Sequence, residues 1–408
     1  QPPSVPSPSP PPVPPLPPFS PSTRFASTTA ELLQHILEAQ QVADVPKLDD
    51  GGSSPMMTGG PPDLHVHLSP GTYSLAGYQP KPSRDGCGVS CSDGVGDEWI
   101  SLHVPIVVNG FSLHLTSHSG GATLDAEGLS RHFEVTSGLF SSLADSGVGG
   151  GQQALVLQQV GGTLVLENVH LIKGRSDSVW RKYGMMGDTP TELDATAGGG
   201  CILVVEGSLS ISDSQLVGCE ATNANLYSAA HLFNETILHS CFDSAVGFCE
   251  SCGCPNYQPP RGGAIDVFAG VATLIRVTIA SARLDSAGDS RGHHGLVEDH
   301  GLSNYSYGGA INIREGGSLV LQDSRITCPN IFRTPAYYTT TTNQYHAWLG
   351  GAIAGTGASL TITGSVIEEC HANLGGAIHS QGTSEVRGSL TLSGTVLRGN
   401  GAPCSAPR

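Results

Sequence analysis

Gly350-Gly351-Ala352-Ile353 returns twenty-five residues later as Gly375-Gly376-Ala377-Ile378. The same phrase stands at Gly262-Gly263-Ala264-Ile265 and Gly308-Gly309-Ala310-Ile311, with a variant at Gly199-Gly200-Cys201-Ile202. Each copy precedes a second phrase: GSLSISDSQL from Gly207, GVATLIRVTI from Gly270, GGSLVLQDSRI from Gly316, GASLTITGSVI from Gly357 and GSLTLSGTVL from Gly388. GGTLVLENVHL from Gly161 lacks the preceding GGAI. From the Ile of the first phrase to the first apolar position of the second is seven residues for Ile202 to Leu209, Ile265 to Ala272 and Ile353 to Leu360, and eight for Ile311 to Leu319. Within the second phrase Leu360 and Ile362 alternate with Thr, the period of a strand with one buried face. A short repeat of strands and glycine turns announces a solenoid, so the fold expected is all-β, a right-handed parallel β-helix. Adjacent coils about 4.8 Å apart explain the glycines, which permit corners and close backbone approach that a Cβ forbids. The Ile ladder, Ile265, Ile311, Ile353 and Ile378, is expected to fill the lumen.

Charged residues are 13% of the 408, Gly numbers 54, and the net charge is −16 with no basic run. That excludes nucleic acid as a natural partner. No apolar run approaches the ~20 residues of a membrane span, so no transmembrane segment is expected. Eleven cysteines, together with a first residue other than Met as in a processed mature chain, point to secretion and an extracellular location. Cys249, Cys252 and Cys254 also fit a metal site, but three sulfurs without a second C-x-x-C favour disulfides. Asn234-Glu-Thr236 and Asn304-Tyr-Ser306 are glycosylation sequons in interrepeat segments.

Twelve of 28 prolines fall in the first 21 residues, so 1–25 is expected to be a polyproline II tail. Residues 26–62 are expected to hold one helix and a linker: Thr28 and Glu31 form a capping box, and Leu32, Leu33, Ile36, Leu37 and Gln40 share the face that should cover the first coil. The β-helix is expected over 63–408, with insertions near 80–98, 220–260, 283–306 and 329–348, the last three leaving from one side. A local Cys87–Cys91 disulfide would close the first. Cys328 and Cys370 follow Ile326 and Ile367 in adjacent coils and should be bridged. His65 and His67 share one strand face, where either a metal pair or plain solvation explains them; solvation is preferred. His293, His294, Glu298, Asp299 and His300 lie in a Gly-flanked polar insertion that is read the same way.

CHANLGGAI (Cys370 to Ile378) resembles the FxxN and GGA[ILV] phrases of chlamydial polymorphic outer-membrane proteins, with Cys370 in the Phe place and Asn373 in the Asn place. GGATLDAEGLSRHFEV (Gly120 to Val135) resembles a coil of pectin-lyase-like β-helix proteins. The Ser-Pro tail resembles the hydroxyproline-rich glycoproteins of green-algal walls and flagellar surfaces, which implies glycosylated prolines here at Pro8, Pro10, Pro11 and Pro12. Unlike in the bacterial proteins, no autotransporter barrel is expected in this chain. The likeness covers roughly 63–400.

Hydrolases of this fold place an acid and a base across the glycosidic bond, and lyases need several carboxylates for Ca²⁺. The one acid directly after a GGAI phrase is Asp266, and its stacked equivalents are expected to be Asn312, Ala354 and His379. No catalytic residue, metal or cofactor is therefore assigned, and the chain is read as non-enzymatic. Past Asn400 another coil is due and no capping helix follows, so a neighbour is expected there or the chain is a fragment. The leading expectation is a structural subunit of a secreted, glycosylated filament, wall or surface appendage, self-assembling through its tail and uncapped end. A carbohydrate-binding adhesin, using Tyr337, Tyr338, Tyr345 and Trp348, comes next, and a polysaccharide lyase or hydrolase last.

Overall fold

The computed structural model describes residues 23–43, 63–76, 105–145 except 119, 153–176, 198–222, 261–285, 307–328 and 347–401. It is all-β with one helix, a parallel β-helix whose coils each contribute one strand to three long sheets. The first sheet has nine strands, from Arg24–Ala26 and Asp63–Leu68 through Ser112–Ser117, Thr163–Glu167 and Ser208–Ser212 to Ser359–Thr363 and Ser389–Ser393. The second runs from Gly71–Ser74 to Val396–Arg398, and the third from Ile106–Asn109 to Ile378–Gln381. Register along the third sheet aligns Ile202, Ile265, Ile311, Ile353 and Ile378, as the repeated phrase predicts. The first four of these are fully buried. Alternation does the rest: in Ser208–Ser212 Leu209 and Ile211 point inward, and in Ser359–Thr363 Leu360 and Ile362.

The two glycines of each corner have different duties. Gly199, Gly262, Gly308, Gly350 and Gly375 have φ between 54 and 68°, a left-handed turn that favours glycine. The second glycine is required by the neighbouring coil: a Cβ on Gly309 would lie 2.0 Å from the Gly351 carbonyl oxygen, and one on Gly351 2.0 Å from that of Gly376. The corner between the first and second sheets is also left-handed, at Asn168, Asp213, Arg276, Asp323, Gly364 and Gly394. The residue that follows points inward, and in three coils it is a buried serine. Ser324 Oγ accepts the Val277 N–H at 2.9 Å and donates to Gln322 O at 2.7 Å. Ser365 Oγ accepts the Ser324 N–H at 3.1 Å. These hydroxyls satisfy corner amides that no strand pairs, which is what lets polar residues enter an apolar lumen.

The helix Thr29–Ala43 lies over the first coil. Its capping box is reciprocal: Thr28 N–H donates to Glu31 Oε2 and Glu31 N–H to Thr28 Oγ1, each at 3.2 Å. Leu32 and Ile36 are fully buried against the tube, and Gln40 Nε2 donates to Val107 O at 2.9 Å, meeting an acceptor at the sheet edge.

Four features depart from the sequence reading. Arg24–Ala26, placed across the tail and helix regions, form an edge strand whose partners are Val66, His67 and Leu68; the pairing satisfies the exposed edge of Asp63–Leu68. Phe133–Asp145 leaves the third sheet and returns antiparallel through Gln153–Gly161, a hairpin inserted into the coil. The expected insertions begin or end inside strands: Glu220–Thr222 pairs with Arg175–Ser176 on one side and with Arg283–Asp285 on the other in a fourth, three-stranded sheet, and Ala347–Leu349 pairs with Ala372–Leu374. Ile378, expected deep in the lumen, is only half-buried, because it belongs to the last described rung.

Candidate functional site

The outer face of the third sheet carries a buried polar cluster. Register stacks Leu203, Asp266, Asn312, Ala354 and His379, the alignment expected from the repeat for the last four. Asp266 is fully buried, and Asn312 Nδ2 donates to its Oδ1 at 2.7 Å. Its Oδ2 makes no hydrogen bond among the described residues but faces Arg314 Nη2 at 3.5 Å. Arg314 packs 4.6 Å over the Phe268 ring and Arg261 5.6 Å over Tyr307. Burial, then repulsion from Arg314, pulls the Arg261 guanidinium below its ordinary pKa. A Cβ on Gly198 would lie 2.1 Å from Asp266 Oδ2, so the strand entry packs directly on the carboxylate.

This cluster sits on a seam. Ser176, Thr222 and Asp285 end neighbouring strands of the fourth sheet. Gly198, Arg261, Tyr307 and Leu349 bridge one another in turn beside the third sheet. These strand ends and strand entries each align along the tube. Asp266 and its arginines pin the returning backbone there. Among the described residues the Asp266 carboxylate is held by Asn312 on one oxygen and faces Arg314 with the other.

Cys328 and Cys370 are joined by a disulfide with Cα atoms 4.9 Å apart, one coil spacing. A second bond, Cys201–Cys219, spans 18 residues and ties the start of a coil to its end. In the chain-entropy view loops of these lengths contribute roughly 3–4 kcal/mol each. His65 and His67 do share an outer face but have different neighbours: His65 stacks on His114, and His67 lies 3.2 Å from Thr116 Oγ1 and edge-on to His118. Trp348 falls in the strand Ala347–Leu349. The glycosylation positions Asn234, Asn304, Pro8, Pro10, Pro11 and Pro12 lie outside the described residues, as do Cys87, Cys91, Cys249, Cys252 and Cys254. The same holds for the His293–His300 group and for Tyr337, Tyr338 and Tyr345.

The last rung is the other exceptional surface. Leu390, Leu392 and Leu397 are 41, 44 and 48% exposed, whereas the residues stacked beneath them, Leu360, Ile362 and Ile367, are at 0%. Val396 is 51% exposed beside them. Among the described residues nothing lies on this edge. No helix among them is long and apolar enough to cross a membrane. No protein-family model, curated protein or solved structure matches the chain.

Proposed function

We propose that the chain is a structural subunit of a secreted, glycosylated extracellular filament, wall or surface appendage, assembling through its Pro-rich tail and its open β-helix end. The observation that carries this reading is the last rung. Leu390, Leu392, Val396 and Leu397 stand half-exposed on strands with an unpaired edge. Covering a Leu fully contributes about 1.5–3 kcal/mol, and an open strand edge templates further pairing. Both would be met by one more coil stacked on this rung, and this reading takes that coil from a neighbouring molecule. The helix seals the opposite end, so growth has a direction. Two disulfides suit an oxidising compartment. The resemblance of the Pro-rich tail to algal hydroxyproline-rich glycoproteins supports the same reading.

The test is assembly of the native protein, followed by sedimentation and electron microscopy. The expected result is concentration-dependent oligomers or fibres that Leu392→Arg with Leu397→Arg reduces by at least tenfold, with the β-sheet circular dichroism unchanged. A wild type that stays monomeric at every concentration, or assembly indifferent to the two arginines, overturns the reading.

A second reading is a carbohydrate-binding adhesin, supported by the alignment along the tube of the strand ends and entries between which the chain inserts further residues. The enzymatic reading has the least support, since Asp266 is stacked between Leu203 and Asn312 and held by Arg314.

A further inference from the structure

The outer face of the first sheet brings together three side chains whose chemistry the repeat does not require. His65 and His114 occupy the same register position on adjacent parallel strands. Their rings lie 4.1 Å apart at 30°, and Asp63, two residues before His65 on the same face, reaches both. Its Oδ2 is 3.0 Å from His65 Nε2 and its Oδ1 3.4 Å from His114 Nε2. All three donor atoms lie within 4.8 Å of one another.

The strands that carry them are held rigidly from behind, with Leu64, Val66, Leu113 and Leu115 at 0–5% exposure in the lumen. The site is open in front: the side chains of His65 and His114 are 33 and 27% exposed. The edge strand Arg24–Ala26 begins its pairing opposite Val66, one residue past His65, and on the other side the ladder passes from His114 to Val165. The histidine pair therefore ends in both directions.

We propose that Asp63, His65 and His114 bind one divalent ion of the borderline class, Zn²⁺, Ni²⁺ or Cu²⁺, joining the first two coils. Two imidazole nitrogens and one carboxylate are the donor set for these ions, whereas Ca²⁺ and Mg²⁺ take oxygen ligands. Zn–N and Zn–O bonds of about 2.0–2.2 Å put tetrahedral donors roughly 3.3 Å apart, close to the two separations from Asp63. Three protein ligands leave a coordination position to water. Burial and the neighbouring His65 lower the His114 pKa, with Asp63 opposing, which favours the neutral, ligating imidazole at neutral pH. His67 is outside the donor set, turned toward Thr116 and His118. The inference is independent of the assembly reading.

The experiment uses the full chain stripped with a chelator and titrated with ZnCl₂ by calorimetry, beside His114→Ala, His65→Ala, Asp63→Asn and His67→Ala. The expected result is an equivalent of micromolar or tighter affinity that His114→Ala and His65→Ala each weaken at least a hundredfold. Asp63→Asn should weaken it about tenfold, and His67→Ala should leave it unchanged. Co²⁺ substitution should give visible d–d bands that disappear in His114→Ala. Other zinc sites elsewhere in the chain do not confuse the result, because the readout is the loss of one equivalent in the variants. Equal stoichiometry and affinity in the wild type and in a His65→Ala, His114→Ala double variant overturns the proposal, as does a wild type that binds no zinc.

Discussion

Ile353→Asp should unfold the solenoid or reduce its stability by more than about 4 kcal/mol, measured by urea denaturation. Ile353 is fully buried and stacks on Ile311, so the carboxylate would enter an apolar lumen among isoleucines, with no cationic neighbour in the ladder. A charge placed in such a setting either stays ionised at a large desolvation cost or takes up a proton. Ile353→Val keeps the shape and should cost only about 0.5–1.5 kcal/mol. Ile378→Asp supplies the gradient: that side chain is half-buried at the last rung, so its penalty should be clearly smaller than at Ile353. Equal and small effects at both positions would place these residues outside the core.

Stability should also fall on acidification from about pH 6.5 to 4, by about 3 kcal/mol from one residue. His132 is fully buried, and Nε2 contacts Leu124 O at 2.9 Å. Burial, against smaller opposing contributions from backbone carbonyls and Asp125, pushes its pKa down to about 4. The unfolded chain, with an ordinary His near 6.5, therefore binds more protons than the folded one between these values. Stability rises with pH through that window, by up to about 1.4 kcal/mol per unit. His132→Gln should remove this one-proton slope, leaving the shallower contributions of His67, His114 and His170, which are lowered by burial too. Glu368 acts in a lower range. Hydrogen bonds from Arg398 and Arg325 depress its pKa, so its contribution is present above about pH 4.5 and is lost as pH falls through its folded value. Denaturation curves at several pH values separate the two, and an unchanged slope in His132→Gln would refute the assignment.

The tube was legible because its rule is local. A glycine pair, a small residue and a β-branched one fix a corner and an inward position, and the equivalence of Asp266, Asn312, Ala354 and His379 follows by counting. The Cys328–Cys370 pair was reachable by the same count, since both follow an inward Ile of neighbouring coils. Cys201–Cys219 was not: Cys201 replaces the Ala of the repeated phrase, and its partner is brought near only by closure of its own coil. The hairpin Phe133–Asp145 with Gln153–Gly161 carries ordinary strand alternation, and nothing local says that its second arm turns back beside the first. The His65 and His114 pair was hidden for a related reason. Forty-nine residues separate them, and no GGAI phrase marks the register of the early coils.

The seam has a further meaning. Successive rungs are reached after 63, 46, 42 and 25 residues, yet the isoleucines they deliver stay aligned. Lengthening an excursion raises its closure entropy only logarithmically, so the scaffold tolerates splicing there at small thermodynamic expense. Excursion length and coil register are thus decoupled: what is spliced in along one edge can vary while the rack beneath keeps its spacing.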